Sequence, residues 1–306
     1  MKRLVAAGFA AAAIATGVPS HAEQDCRLQL AASLPMTLES SGHVAVMGTI
    51  GDRPVKLVVD TGGVTMLRES VAKQLGLDYQ PLKHWQNASI FGDIHMHRSA
   101  VVRGFTLGGL RADGISFLLI PDEDGKLSGL PDGILGENVL SLYDVDIDYA
   151  HAKMNLFLPH RCPGRAVYWT QNEDLIAKVP MEFGGDFIKM KVTVEGKQIR
   201  AILDTGATDT VMDLETYMPE FGLKPDSPGM QRIGAADDPH PRYLYTFKTL
   251  SFEGVTVNNA KVQFVSQDAS HDPYYNMLVG EDILRQLHLY ISFQEKTLFI
   301  TSASAN

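Results

Sequence analysis

The tripeptide Asp-Thr-Gly occurs twice in this chain, as Asp60-Thr61-Gly62 and Asp204-Thr205-Gly206. Each copy closes an apolar run, Val55-Lys56-Leu57-Val58-Val59 before the first and Ile199-Arg200-Ala201-Ile202-Leu203 before the second. The surroundings repeat too. Gly136 stands 76 residues beyond Asp60, in Ile134-Leu135-Gly136-Glu137-Asn138-Val139-Leu140, and Gly280 stands 76 beyond Asp204, in Leu278-Val279-Gly280-Glu281-Asp282-Ile283-Leu284. The two halves are therefore in register at an offset of 144. Copies of one scaffold pack about a two-fold axis, which brings equivalent turns face to face. A carboxylate delivered twice to one place suits a paired-carboxylate site, and so an enzyme.

The local pattern is that of β-structure. Apolar runs are short, and turn-forming Gly and Pro are plentiful, at 27 and 15 in 306 residues. In Phe187 to Val194, Ile188, Met190, Val192 and Val194 alternate with polar residues, the period of a half-buried strand. Each Asp-Thr-Gly follows the second strand of a hairpin, with turns at Gly51-Asp52-Arg53-Pro54 and Glu195-Gly196-Lys197. Short helices are expected over Glu69 to Leu75 and Leu214 to Phe221, each capped by a Gly, Gly76 or Gly222. Irregular stretches follow at Lys83 to Arg98 and Met230 to Arg242. Second hairpins are expected over Phe105 to Leu119 around Gly114 and over Leu250 to Val265 around Asn258-Asn259. Each half closes with the apolar-apolar-Gly motif, a brief helix and a last hairpin, Val145 to Leu158 or Leu289 to Thr301. Pro159-His160-Arg161-Cys162-Pro163-Gly164 reads as the linker, dividing the chain into lobes of residues 23–164 and 165–306.

The first 22 residues read as a secretory signal: Lys2 and Arg3, an Ala-rich apolar stretch from Leu4 to Val18, and a small-x-small site at Ser20-His21-Ala22. That stretch is short for a membrane span, so the expectation is an exported, periplasmic or secreted protein with no membrane anchor in the mature chain. Glu23 to Ser41 is either a first strand or a short pro-segment. In an oxidising compartment the two cysteines, Cys26 and Cys162, are expected to pair. That disulfide would close about 135 residues, worth at most roughly 5 kcal/mol in the chain-entropy model. A net charge of −9 with no Lys/Arg cluster argues against nucleic acid as a partner.

Two aspartates facing each other cannot both ionise cheaply, so they share one proton and can hold a water between them. One carboxylate then acts as base on the water while its protonated partner donates to a substrate carbonyl, and the roles reverse as the amine leaves. A Thr after each Asp can hydrogen-bond across the axis to the opposite loop, and Gly62 and Gly206 let the backbone pack close to the carboxylates.

The chain resembles the aspartic peptidases of the pepsin and retropepsin type. Leu203-Asp204-Thr205-Gly206-Ala207-Thr208-Asp209-Thr210-Val211 is similar to the active-site loop of retroviral proteases, and Ile134-Leu135-Gly136 and Leu278-Val279-Gly280 resemble the element behind that loop. The resemblance implies an all-β, bilobal acid-protease fold with two retropepsin-like β-barrel lobes. It implies Asp60 and Asp204 as the catalytic pair, supported by Thr61, Gly62, Thr205 and Gly206. A flap would fall at Asn87 to His97, with Phe91-Gly92-Asp93 at its tip. The partner would be a peptide or protein substrate, with no cofactor, and both halves on one chain imply an active monomer. In the family a hydroxyl residue can follow Asp-Thr-Gly and donate to the carboxylate, whereas Gly63 and Ala207 stand there in this sequence. The rival reading is a non-catalytic bilobal module that binds a peptide or envelope protein without cutting it.

Other features carry less. His95 and His97 share a strand face but have no third ligand at matching spacing, so no metal is expected. Asp122-Glu123-Asp124-Gly125 opens like a calcium loop but lacks the later Glu, and reads as a solvated turn. Asn87-Ala88-Ser89 fits a glycosylation sequon. No serine nucleophile elbow or phosphate-binding loop is present.

Overall fold

The computed structural model describes residues 26–88, 94–122, 131–159, 163–164, 166–183, 187–235, 237–266 and 277–304. The chain is an all-β protein of two related lobes joined by a shared sheet. In the first lobe the hydrogen-bonded order is Val44–Ile50, Arg53–Val59, Gly133–Leu135, Met66–Arg68, Ile115–Ile120, Ile94–Val102 and Tyr79–Ala88. The second repeats it as Ile188–Val194, Lys197–Leu203, Met277–Val279, Val211–Asp213, Val255–Val265 and Arg242–Phe252. There Thr193 and Val194 pair with Ser251 and Leu250, which closes a six-stranded barrel. In the first lobe the strand equivalent to Arg242–Phe252 breaks at Gly104 (φ +66°), and its continuation, Phe105–Leu107, pairs with Val44–Ile50 at the matching place.

A six-stranded antiparallel sheet links the lobes, in the order Ala177–Pro180, Thr297–Ser302, Leu287–Ser292, Asp144–Asp148, Lys153–Phe157 and Leu30–Leu38. Its register displays the duplication. Asp146 pairs with Tyr290, its counterpart at the offset of 144, so the pseudo-two-fold axis runs through that pair. Val145, Ile147, Leu289 and Ile291 point into a core continuous with both lobes. On the other face Phe157, Tyr290 and Phe299 are covered by Ala166, Val167, Trp169 and Ile176. The interlobe segment thus crosses the sheet, and each aromatic it buries stabilises by roughly 1.5–3 kcal/mol. Trp169 stacks on buried His288 at 3.8 Å, and His288 Nε2 meets Asp146 Oδ1 at 2.7 Å. Leu30–Leu38 pairs with Lys153–Phe157 and, through its last residues, with Val44–Val46, so nine residues of the stretch from Glu23 to Ser41 form a strand.

Several sequence expectations need correction. The second hairpin of the later half turns at Glu253-Gly254, both at positive φ (+41° and +109°), as a two-residue turn matched to strand twist requires. Asn258 and Asn259 lie inside the strand Val255–Val265, Asn259 at φ +56° where the ladder skips a residue. In the first half Phe105–Leu107 pairs with Leu110–Ala112 around Gly108-Gly109, while Ile115–Ile120 returns to Ser99–Val102. The described part of the stretch from Lys83 to Arg98 is strand: Tyr79–Ala88 and Ile94–Val102 pair antiparallel, with a shift of register between Pro81 and Gln86. Met230 to Arg242 contributes one short strand, Gln231–Ile233, against Arg242–Leu244. The helices fall at Glu69–Gln74 and Leu214–Glu220, followed by Gly76 (φ +64°) and Gly222 (φ +65°), and Asp213 caps the second by accepting from the Thr216 N–H. Asp122 accepts from Arg68 and from the Ser70 N–H; residues 123–125 lie outside the described residues. Among the described residues no helix is long and apolar enough to cross a membrane.

Candidate active site

Each Asp-Thr-Gly emerges where three strands meet. Gly133–Leu135 runs parallel to Leu57–Val59 and antiparallel to Met66–Leu67, and Met277–Val279 repeats this with Ile202–Leu203 and Val211–Met212. The Asp60 N–H donates to the Leu135 carbonyl at 3.0 Å and the Asp204 N–H to the Val279 carbonyl at 3.1 Å, so both aspartates leave their strands at the same level.

The threonines then lock the turns together. Thr61 N–H donates to Thr205 Oγ1 and Thr205 N–H to Thr61 Oγ1, both at 3.1 Å. Each hydroxyl donates onward across the axis, Thr61 to the Leu203 carbonyl (2.9 Å) and Thr205 to the Val59 carbonyl (2.8 Å). Every polar atom of the two side chains is used, and both residues are about 1 % exposed. The glycines pack crosswise. A Cβ on Gly62 would sit 2.5 Å from Asp204 Cγ, and one on Gly206 would sit 2.4 Å from Asp60 Cγ. Only a residue without a side chain fits over each opposing carboxylate. Gly62 N–H and Gly206 N–H each donate to the carboxylate of their own loop, at 2.8 Å.

The apolar-apolar-Gly strands buttress these turns. A Cβ on Gly136 would meet the Val64 carbonyl carbon at 2.2 Å, and one on Gly280 the Asp209 carbonyl oxygen at 2.5 Å. Thr65 Oγ1 accepts from Gly136 N–H, and the Thr65 N–H donates to Asn138 Oδ1. In the second lobe Thr210 Oγ1 accepts from Gly280 N–H and donates to Asp282 Oδ1. Glu137 and Glu281 donate their N–H groups to the Gly63 and Ala207 carbonyls, each at 2.8 Å.

Asp60 is buried and Asp204 partly so. Burial pushes both carboxyls above the usual carboxylate range, Asp60 the further because the charge of Asp204 adds to it; the Gly62 N–H pulls it back in part. Each carboxyl lies against the opposing loop's glycine, and the Gly206 and Ala207 backbone draws Asp204 partly back toward its anion as the Gly62 N–H does Asp60. Two carboxyls coupled in this way titrate as a unit, and the pair passes through a singly protonated form between its two ionisations.

The sequence-predicted residues Asp60, Thr61, Gly62, Asp204, Thr205 and Gly206 thus meet at one place. Phe91, Gly92 and Asp93, predicted at the flap tip, lie outside the described residues, as does Cys162, the expected partner of Cys26. The strands on either side, Tyr79–Ala88 and Ile94–Val102, pair with each other, and Met96 on the second joins Val58, Met66, Leu118, Ile120 and Ile134 in an apolar cluster. Sequence reasoning missed Thr65, Thr210, Asn138, Asp282, Tyr149 and Arg285. Asn138 and Asp282 do match at the offset of 144, two residues after each motif Gly, which was the available signal.

No curated protein matches the chain. The family described as Aspartyl protease matches it twice, over residues 46–139 and 190–282, one match for each half of the duplication. The two matches span more than half of the chain and enclose both Asp-Thr-Gly turns and both apolar-apolar-Gly strands, and the protein belongs to the aspartyl protease family.

Proposed function

We propose that the protein is an aspartic endopeptidase in which Asp60 and Asp204 activate a water against a peptide bond. The observation that carries this reading is the crossed packing of the two turns, each glycine set against the opposing carboxyl and the threonines bonded to each other across the axis. One carboxylate of the pair takes a proton from the water as it attacks the carbonyl carbon, while its protonated partner donates to the carbonyl oxygen. The tetrahedral intermediate collapses by breaking the C–N bond: the carboxyl that received a proton passes it to the leaving amine, and a hydroxyl of the intermediate returns a proton to the other carboxylate. The flap hairpin, Tyr79–Ala88 with Ile94–Val102, closes over the bound peptide. Removal of residues 1–22 on export, action as a monomer in the periplasm or outside the cell, and a Cys26–Cys162 disulfide belong to the same reading.

Incubation with an unbiased peptide library, with and without a statine-type transition-state mimic, tests it. Cleavage that the mimic blocks and that Asp60→Asn abolishes is expected. Binding of several peptides without cleavage of any would replace the peptidase by a peptide-binding module.

A further inference from the structure

Glu281 is fully buried at the start of the short helix Glu281–Leu284, beside the second Asp-Thr-Gly turn. Its carboxyl oxygens accept from the Tyr149 hydroxyl at 2.8 Å and from Arg285 Nε at 2.9 Å. Tyr149 belongs to the first lobe, just beyond the strand Asp144–Asp148. Arg285 also donates to the carbonyl of Gly42, in the turn between Leu30–Leu38 and Val44–Ile50. That turn lies against the second loop, since a Cβ on Gly42 would come within 3.1 Å of Thr208 Cγ2. Two first-lobe turns are thereby tied, through one side-chain cluster, to the loop that carries Asp204.

The arrangement is one-sided. Glu137 occupies the position equivalent to Glu281, but Phe293 stands where Tyr149 would recur and Ser141 where Arg285 would. The same two donors cannot be recruited there. Glu137 and Glu281 make the same main-chain bond to their loops. The bonds from the Ala207 N–H to the Asp204 carbonyl and from the Asp282 N–H to the Thr208 carbonyl occur, among the described residues, on the second side alone, where the cluster is a further addition to the duplicated frame. The loop it holds is also the longer one: Thr210 is the sixth residue after Asp204, whereas Thr65 is the fifth after Asp60. An extra residue gives that loop backbone freedom which a cross-lobe tie removes.

We propose that Glu281 is a positioning residue for Asp204, bridging Tyr149 and Arg285 so that the second loop is held in register with the first lobe. The proposal rests on reading Asp60 and Asp204 as the catalytic pair. The charged and titratable groups facing Glu281 are Tyr149, Arg285 and Asp204, with His43 near the Gly206 backbone on the far side of Arg285. Burial first, and the charge of Asp204 in part, push Glu281 up to about 7, against the pull of Tyr149 and Arg285. In mild acid the bridge is therefore neutral and places no second negative charge beside Asp204.

The test compares wild type with Glu281→Leu, Glu281→Gln and Tyr149→Phe, by cleavage kinetics per inhibitor-titrated site and by carboxyl-carbon NMR titration of Asp204. Glu281→Leu should lower kcat about tenfold with KM within about twofold, the pattern of a misplaced reacting group. Tyr149→Phe should show the same pattern more weakly, and Glu281→Gln, which keeps one acceptor, should recover much of the loss. The Asp204 titration should move in Glu281→Leu and in Tyr149→Phe. Unchanged kcat with an unchanged Asp204 titration, or a loss explained wholly by fewer folded molecules, would overturn the proposal. If wild type cleaves nothing and Asp60→Asn changes nothing, the catalytic reading falls instead, and the NMR titration decides the positioning role alone.

Discussion

Thr61 and Thr205 each donate a backbone N–H to the other's hydroxyl, at 3.1 Å in both directions, and each hydroxyl donates in turn to a carbonyl of the opposite lobe. The bonds form a closed, buried circuit on the pseudo-two-fold axis. Replacing either hydroxyl by a methyl group of the same shape strands an N–H and a carbonyl away from water, at about 1–3 kcal/mol for each orphaned group. Thr61→Val and Thr205→Val should each lower the denaturation midpoint clearly, while Thr61→Ser and Thr205→Ser should lose far less. Equal midpoints for the Val and Ser variants would show that the circuit contributes nothing to stability.

Asp60→Asn and Asp204→Asn should each abolish peptide cleavage, by roughly a thousandfold or more, because neither half carries a spare general base. Neither should cost stability at neutral pH. Burial raises both carboxyls, so holding the pair charged is unfavourable, and an amide removes that penalty. Thermal unfolding at pH 7 should show melting temperatures equal to or above wild type. A variant that kept near-normal turnover would rule out the two-carboxylate mechanism.

How much of this was legible in the sequence differs from element to element. The Asp-Thr-Gly turns, the hairpins before them and the apolar-apolar-Gly strands were readable because the repeat printed them twice, and strand alternation and glycine placement are local signals. The turn at Glu253-Gly254 was misplaced to Asn258-Asn259 because Asn-Asn carries the stronger turn propensity, whereas Glu253 accepts a positive φ only under the closure of a long hairpin. The strands Tyr79–Ala88 and Ile94–Val102 looked irregular because apolar and polar residues alternate poorly along them. Tyr149, Arg285 and Gly42 lie far apart in sequence and differ from their counterparts in the other half, so no repeat could announce them.

The glycines separate two physical roles. At Gly136 and Gly280 an added Cβ collides with backbone at 2.2 and 2.5 Å. Gly136→Ala and Gly280→Ala should therefore cost about 3 kcal/mol or more, the upper end for overpacking, and should disable the site because the colliding atoms belong to the aspartate loops. Gly76 and Gly222 have open space around a Cβ but positive φ, so alanine there should cost only about 1 kcal/mol and spare activity. Paired urea denaturation and kinetic measurements check both. Comparable losses at all four positions would mean that φ strain, and not contact with the loops, explains the motif glycines.

Stability should fall as pH rises through neutrality. Glu281 is raised from 4.5 to about 7, and Asp60 and Asp204 are raised as well, in each case first by burial. A carboxyl with a raised folded-state pKa binds its proton more tightly when folded, so its contribution is complete below the unfolded value and is lost as pH climbs through the folded one. The denaturation midpoint should decline between about pH 4.5 and 7.5, with Glu281 accounting for on the order of 3 kcal/mol. Glu281→Gln should flatten that decline. A midpoint that rises over the same interval would reverse the sign of the argument.

The residues after the two Asp-Thr-Gly turns bear on the pH of catalysis and differ in what they tolerate. Gly63 and Ala207 offer no side-chain donor to the carboxylates, so the singly protonated pair should persist into mild acid and give a bell-shaped cleavage profile peaking there. A hydroxyl can be added at one of these positions only. Ala207 already carries a Cβ, and Ala207→Ser should place a donor near Asp204, favour its charged form and move the profile toward acid by roughly half to one pH unit. At Gly63 an added Cβ would lie 2.6 Å from Asp60 Oδ2, so Gly63→Ser should displace that carboxyl and lower kcat without a comparable pH shift. Cleavage profiles of both variants on one peptide substrate decide the matter. A wild-type optimum in strong acid, or an Ala207→Ser profile shifted toward neutral, would mean that donors other than a hydroxyl at this position set the ionisation of the pair.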